Sequence, residues 1–71
     1  MQVKLKVSKL VDEIDQRVIQ FNILCADSQK VLYSTESTEQ RTGTRHWDQS
    51  GIYAARRRIR AWVSRHSATL V

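Results

Sequence analysis

The stretch DQSGIYAARRRIRAWVSRH, residues 48–66, predicts an amphipathic α-helix. At about 100° per residue, its apolar side chains fall on one stripe, made of Ile52, Ala55, Ile59, Trp62, Val63 and His66. The arginines fall opposite or beside that stripe. Asp48 is a favourable N-cap residue, because its carboxylate can accept hydrogen bonds from the free amides of the first turn. One face of this helix is therefore expected to pack on a core, and the other to meet water or an anion.

The chain before this helix predicts three β-strands. Residues 2–8 alternate apolar and polar side chains, residues 17–26 are rich in β-branched and aromatic types, and residues 31–35 form a third short run. The polar segments 12–16 and 27–30 are expected to reverse the chain. Residues 36–44 are polar throughout and predict a long loop, in which Gly43 is expected to take a positive φ. The three strands then form an antiparallel meander, with residues 17–26 as the central strand.

Together these elements predict an α+β fold with the order βββα, in one small domain covering residues 1–71. The helix should cover one face of the three-stranded sheet, since both elements then bury their apolar side. In that arrangement Ile59 and Trp62 pack against a set of strand residues: Val3, Leu5, Val7, Ile19, Phe21 and Ile23. A competing interpretation takes residues 8–21 as a helix, because apolar residues also recur there at spacings of three and four.

Length and composition restrict the class of protein. At 71 residues the chain can bury a marginal core, so association into a homodimer is a live possibility. No stretch resembles a secretory leader or a membrane span. The single cysteine cannot form an internal disulfide, which fits a reducing compartment. These features predict a cytoplasmic protein that does not use a membrane.

The residues that could carry catalysis or bind metal form no recognisable constellation. Cys25, His46 and His66 are the soft or nitrogen ligands, and no two of them have a zinc-site spacing. Cys25 is expected on the inner face of its strand, as a small buried apolar residue. The chain has no glycine-rich phosphate loop and no paired carboxylates on a firm element. We therefore expect neither an enzyme, nor a cofactor, nor a metal site.

The uneven charge is the most informative feature of the composition. Residues 1–40 carry five basic and six acidic side chains, a net −1, whereas residues 41–71 carry seven arginines against Asp48 alone, a net +6. Arginine is a planar donor suited to phosphate, so this basic region predicts a nucleic-acid interface, with duplex DNA favoured. Its candidate residues are Arg41, Arg45, Arg56, Arg57, Arg58, Arg60 and Arg65.

A second surface could also contact nucleic acid. The outer sheet face is predicted to carry Lys4, Lys6, Gln20 and Asn22, and a β-sheet can enter the major groove and contact base edges with such side chains. The alternative function belongs to a different class, an interaction module or inhibitor whose basic helix docks on an acidic partner protein. The prediction at this level is a small accessory or regulatory protein without catalysis.

Overall fold

The computed structural model describes residues 1–43 and 46–71 of the chain. Its elements follow in the order β1 (Gln2–Asp12), β2 (Gln16–Cys25), β3 (Val31–Gln40), α1 (Ser50–Arg65) and β4 (Thr69–Leu70). The strands form one sheet in the order β3-β2-β1-β4, and α1 packs on one face of it. The predicted α+β class, with one helix on an antiparallel sheet of three long strands, is confirmed.

The pairing of β1 with β2 decides between the two interpretations of the first half of the chain. The strands are antiparallel, with Leu5 opposite Ile23 and Val7 opposite Phe21. Residues directly opposite one another share a face, so the alternating apolar residues of both strands point towards α1. The chain reverses between the strands, where the Glu13 amide donates to the Gln16 carbonyl at 2.8 Å. The helical interpretation of residues 8–21 is wrong, because both strands run through that range.

β3 is twice as long as predicted and occupies half of the segment interpreted as a loop. The residues after position 35 keep the alternation of a strand while lacking large apolar side chains, so hydrophobic periodicity did not mark them. The side chains on the inner face are small or paired, and three are buried: Thr35, Ser37 and Glu39. Gly43, in the remaining loop, has no positive φ, so that prediction is wrong.

The predicted three-stranded sheet lacks one strand, because a short fourth strand follows the helix. β4 runs parallel to β1, with the Thr69 amide donating to the Met1 carbonyl at 2.8 Å and the Val71 amide donating to the Val3 carbonyl at 3.0 Å. The chain leaves α1 through Ser67, which has a φ of 48°. Two residues are too few to show a periodicity, so the sequence did not indicate this strand.

The helix is slightly shorter than predicted at both ends. It begins at Ser50, and Gln49 holds the N-cap position without a side-chain hydrogen bond. Asp48 lies one residue earlier, where its Oδ1 accepts the Ser50 amide at 3.0 Å. That hydrogen bond, with a further one from the Ser50 hydroxyl, holds the pKa of the Asp48 carboxyl below its ordinary value. At the other end the His66 ring stacks on Trp62, with 4.2 Å between the ring centroids.

The hydrophobic core lies between α1 and the sheet. Its buried members are Val3, Phe21, Ile23, Ala55, Ile59 and Trp62. Trp62 also stacks on Tyr33 of β3, with 6.1 Å between centroids. Leu5 and Val7 were predicted to join this core, but their side chains are 42% and 54% exposed. Both residues lie on the predicted face of β1, the face on which α1 packs. They lie towards one edge of the sheet, which α1 does not cover.

Candidate nucleic-acid interface

Three of the predicted arginines lie together on one side of α1. Arg56, Arg57 and Arg60 follow Tyr53 at spacings of three, four and seven residues, which place all four side chains on one stripe of a helix. They surround a shallow depression of about 320 Å³, and all four are exposed. We call this set the arginine stripe. Tyr53 was not among the predicted residues, although its spacing from the arginines could have indicated it.

Arg56, Arg57 and Arg60 form no ion pair within the part of the chain that the structure describes. The Lys9–Asp12 and Arg17–Glu39 ion pairs both lie outside α1. The helix itself contains no aspartate or glutamate. Like charges four residues apart, such as Arg56 and Arg60, repel one another by a few tenths of a kcal/mol. An anion placed against the stripe would relieve that repulsion.

The other two arginines of α1 point to its opposite flank. Arg58 donates from Nε to the Thr35 hydroxyl at 2.7 Å and from Nη2 to the Glu36 carbonyl at 3.0 Å, so it fastens the helix to β3. Arg65 donates from Nε to the Ala61 carbonyl at 3.4 Å, one turn earlier in the same helix. The structure therefore separates Arg58 and Arg65 from the arginine stripe.

One of the two predicted loop arginines, Arg41, lies within the described residues. Arg41 donates from Nε to the Gly43 carbonyl at 3.0 Å and from Nη1 to the Ile14 carbonyl at 3.2 Å, which ties the segment after β3 to the β1–β2 reversal. Arg45 lies outside the described residues. A basic residue that the prediction did not include, Arg17, is engaged with Glu39 and with the Trp47 ring, 3.9 Å from the ring centroid.

The second predicted surface lies on the opposite face of the sheet. Lys6 stands opposite Asn22 on adjacent strands, and Lys4 and Gln20 share that face with them. The Asn22 amide donates to the Gln20 Oε1 at 3.3 Å, and its own oxygen accepts from the Ser34 hydroxyl at 2.6 Å. These bonds hold the two amide side chains in place. The structure thus brings all four predicted residues together, on a face remote from the arginine stripe.

Cys25 differs from its prediction. It ends β2 as a half-buried residue at the start of a turn, not as a fully shielded one. Hydrogen bonds from the Ser28 hydroxyl and from the amides of Ser28 and Asp27 hold the pKa of the Cys25 thiol below its ordinary value. These donors come from the turn, whose contribution could not be deduced from strand alternation.

In residues 1–43 and 46–71, no group of three or more histidine, cysteine, aspartate or glutamate side chains lies close enough together to hold a metal ion. The helix in this part of the chain is too short and too polar to cross a bilayer.

No protein-family model, curated protein or solved structure matches the chain.

Proposed function

We propose that this protein binds nucleic acid, with duplex DNA favoured, through the arginine stripe and without catalysis. The observation that carries the proposal is the convergence of Arg56, Arg57 and Arg60 on one exposed side of α1, where none of them is ion-paired to a carboxylate of the described residues. Guanidinium groups donate two parallel hydrogen bonds to phosphate oxygens. Tyr53 adds a hydroxyl donor at one end of the same stripe.

The spacing of the stripe suits a phosphate backbone. Residues 56 and 60 are separated by about 6 Å along the helix axis at 1.5 Å per residue. One strand of duplex DNA presents a phosphate about every 3.4 Å along its axis. The three arginines can therefore reach neighbouring phosphates, and they can make roughly three phosphate contacts. Such contacts position a protein on DNA without selecting a sequence.

The outer sheet face is the rival surface for the same function. It offers two lysines for phosphates and two amides for base edges. The hydrogen bonds between Gln20, Asn22 and Ser34 occupy part of the amide groups that base recognition would use. These bonds weaken the case for base recognition by the outer sheet face and leave Lys4 and Lys6 as its phosphate contacts.

The test is a fluorescence-anisotropy titration of random-sequence duplex across a salt series. With three contacts, log affinity should fall against log salt with a slope of about −2.7, and the dissociation constant at physiological salt should be near ~10⁻⁴ to 10⁻⁶ M. Replacing Arg57 and Arg60 by alanine should weaken binding to all sequences alike and flatten the slope by about 1.8.

The matched control replaces Lys4 and Lys6 by alanine, which removes the same net charge from the opposite face. We expect this variant to keep the slope of the natural protein. If the lysine variant alone flattens the slope, the outer sheet face is the phosphate-binding surface. If the natural protein does not bind duplex at any salt concentration, the predicted alternative of an acidic protein partner takes the place of nucleic acid.

A further inference from the structure

An open apolar groove runs beside α1. It lies on the same face of the sheet as the helix, over the part of that face that the helix leaves uncovered. It has a volume of about 490 Å³, with Leu5, Val7 and Phe21 on its floor and Ile52 and Ile59 on its helical wall. On β3 the inward side chains of Thr35, Ser37 and Glu39 are buried, whereas on β1 Val3 is buried but Leu5 and Val7 are 42% and 54% exposed. The groove therefore results from incomplete coverage of one sheet face.

The dimensions of a helix explain why the coverage is incomplete. Strands lie about 4.8 Å apart, and a helix with its side chains is about 10–12 Å wide, so one helix covers about two strands. This sheet has three long strands and a short fourth, while α1 is the only helix in residues 1–43 and 46–71. α1 lies towards β3, so it leaves β1 uncovered at Leu5 and Val7.

The rim of the groove is basic, which favours an acidic occupant. Arg56 and Arg60 line the groove along its helical side, so they would face a helix laid beside α1. Neither has a carboxylate partner in the described part of the chain. An occupant with an apolar face and acidic flanks would cover Leu5 and Val7 and also pair with both arginines.

A second copy of this chain is a poor occupant. Its own helix has four arginines within residues 56–60 and no acidic residue, so it would place like charges against Arg56 and Arg60. Pairing along the open edge of β1 is opposed by Lys4, Lys6 and Lys9 and by the irregularity between Lys9 and Val11. Edge lysines and bulges are common obstacles to strand addition.

We propose that this groove binds an acidic amphipathic α-helix of a partner protein, which lies beside α1 and completes the helical layer over β1. Such helices dock through apolar anchors at positions i, i+3, i+4 and i+7. Their acidic flanks would pair with Arg56 and Arg60. The inference gives the acidic-protein alternative a defined site, and it does not rest on nucleic-acid binding.

The probe is a synthetic amphipathic peptide of about 18 residues, with leucines at helical spacing and glutamates on both flanks. Its fluorescence anisotropy is measured with the whole protein, beside a scrambled peptide and a peptide with lysine in place of glutamate. We expect the acidic amphipathic peptide to bind at least about tenfold more tightly than either control. Equal binding of all three peptides, or binding of none, would overturn the proposal.

Two valines with the same exposure provide the decisive variants. Val7 is 54% exposed in the groove, and Val31 is 53% exposed at the start of β3. Val7→Glu should weaken peptide binding more than about tenfold, because the new carboxylate is buried under the apolar face of the peptide. Val31→Glu makes the same chemical change away from the groove and should leave binding unchanged. An equal loss of peptide binding in both variants would contradict the proposed location of the site.

Charge reversal separates this site from the proposed nucleic-acid function. The Arg56→Glu/Arg60→Glu variant should prefer the lysine peptide over the glutamate peptide. Arg57→Ala should keep peptide binding, because Arg57 does not line the groove, while it weakens duplex binding. Sedimentation equilibrium is run in parallel, and a dimer that Val7→Glu dissociates would show that a second copy occupies the groove, which would overturn the proposal.

Discussion

Gly51→Ala tests how closely the first turn of α1 approaches β3. Gly51 is the second residue of the helix, and a Cβ atom there would lie 2.8 Å from the Thr38 carbonyl oxygen and 3.3 Å from the Thr38 nitrogen. Both atoms belong to the strand backbone, so no side-chain rotation can relieve the contact. The N-terminal end of the helix would therefore have to move away from the strand.

Two opposing effects set the size of the change. Alanine in place of glycine stabilises a helix by about 0.5–1 kcal/mol, whereas forcing extra volume into a packed contact costs about 1–3 kcal/mol. The net expectation is a loss of about 1–2 kcal/mol in the free energy of unfolding. For a domain of this size that corresponds to a fall of about 5–15 °C in the thermal midpoint.

The measurement is thermal unfolding followed by circular dichroism, with Gly43→Ala as the control. A Cβ at Gly43 would meet its nearest described neighbour, His46 Cδ2, at an ordinary 3.8 Å, and Gly43 has no positive φ. Gly43→Ala should therefore leave the midpoint unchanged or raise it slightly. If Gly51→Ala also raises the midpoint, as helix propensity alone would predict, α1 does not lie against Thr38.

The remaining stability and reactivity predictions concern the core, the buried ion pair and the cysteine. Trp62→Ala should cost about 3–5 kcal/mol in urea unfolding, a large share of what a 71-residue domain possesses; an unmoved midpoint would mean that the helix is not packed through this side chain. Arg17→Met should cost about 3–5 kcal/mol because it leaves Glu39 buried and unpaired, and the double variant Arg17→Met/Glu39→Leu should recover most of that loss. Alkylation of Cys25 should rise with pH at a lower inflection in the native protein than in denaturant, since the thiolate is the nucleophile and its pKa is lowered. Ser28→Ala should move that native inflection upwards, and identical profiles in the two states would contradict the hydrogen-bonded thiol.

The sequence predicted the elements that depend on hydrophobic periodicity. β1, β2 and α1 follow from the alternation of Val3, Leu5 and Val7 and from the helical spacing of Ile59 and Trp62. The sequence did not predict the second half of β3, because its inward side chains are small or charged. A charged side chain is accommodated there only through its pairing partner across the sheet. That partnership, Arg17 with Glu39, depends on the register between β2 and β3, which local sequence does not contain.

The candidate interface could be predicted only in part, because some of its features also depend on contacts between elements that local sequence does not contain. Helical spacing alone groups Arg56, Arg57 and Arg60, whereas the role of Arg58 depends on which residues of β3 lie beside the helix. The exposure of Leu5 and Val7 had no sequence signal either, because alternation indicates which face a residue occupies and not how much of that face is covered. The role of Arg58 and the exposure of Leu5 and Val7 both depend on the length of β3 and on the one helix that covers the described sheet.

The most direct test of the central claim is a ¹⁵N NMR titration of the whole protein with random-sequence duplex, recorded on backbone amides and arginine Nε–H groups. We predict that the largest shifts occur at Tyr53, Arg56, Arg57 and Arg60 and diminish as salt is raised. The signals of Gln20 and Asn22 should shift little under the same conditions. Shifts concentrated on the outer sheet face, with the Arg57 and Arg60 side chains unmoved, would contradict the account.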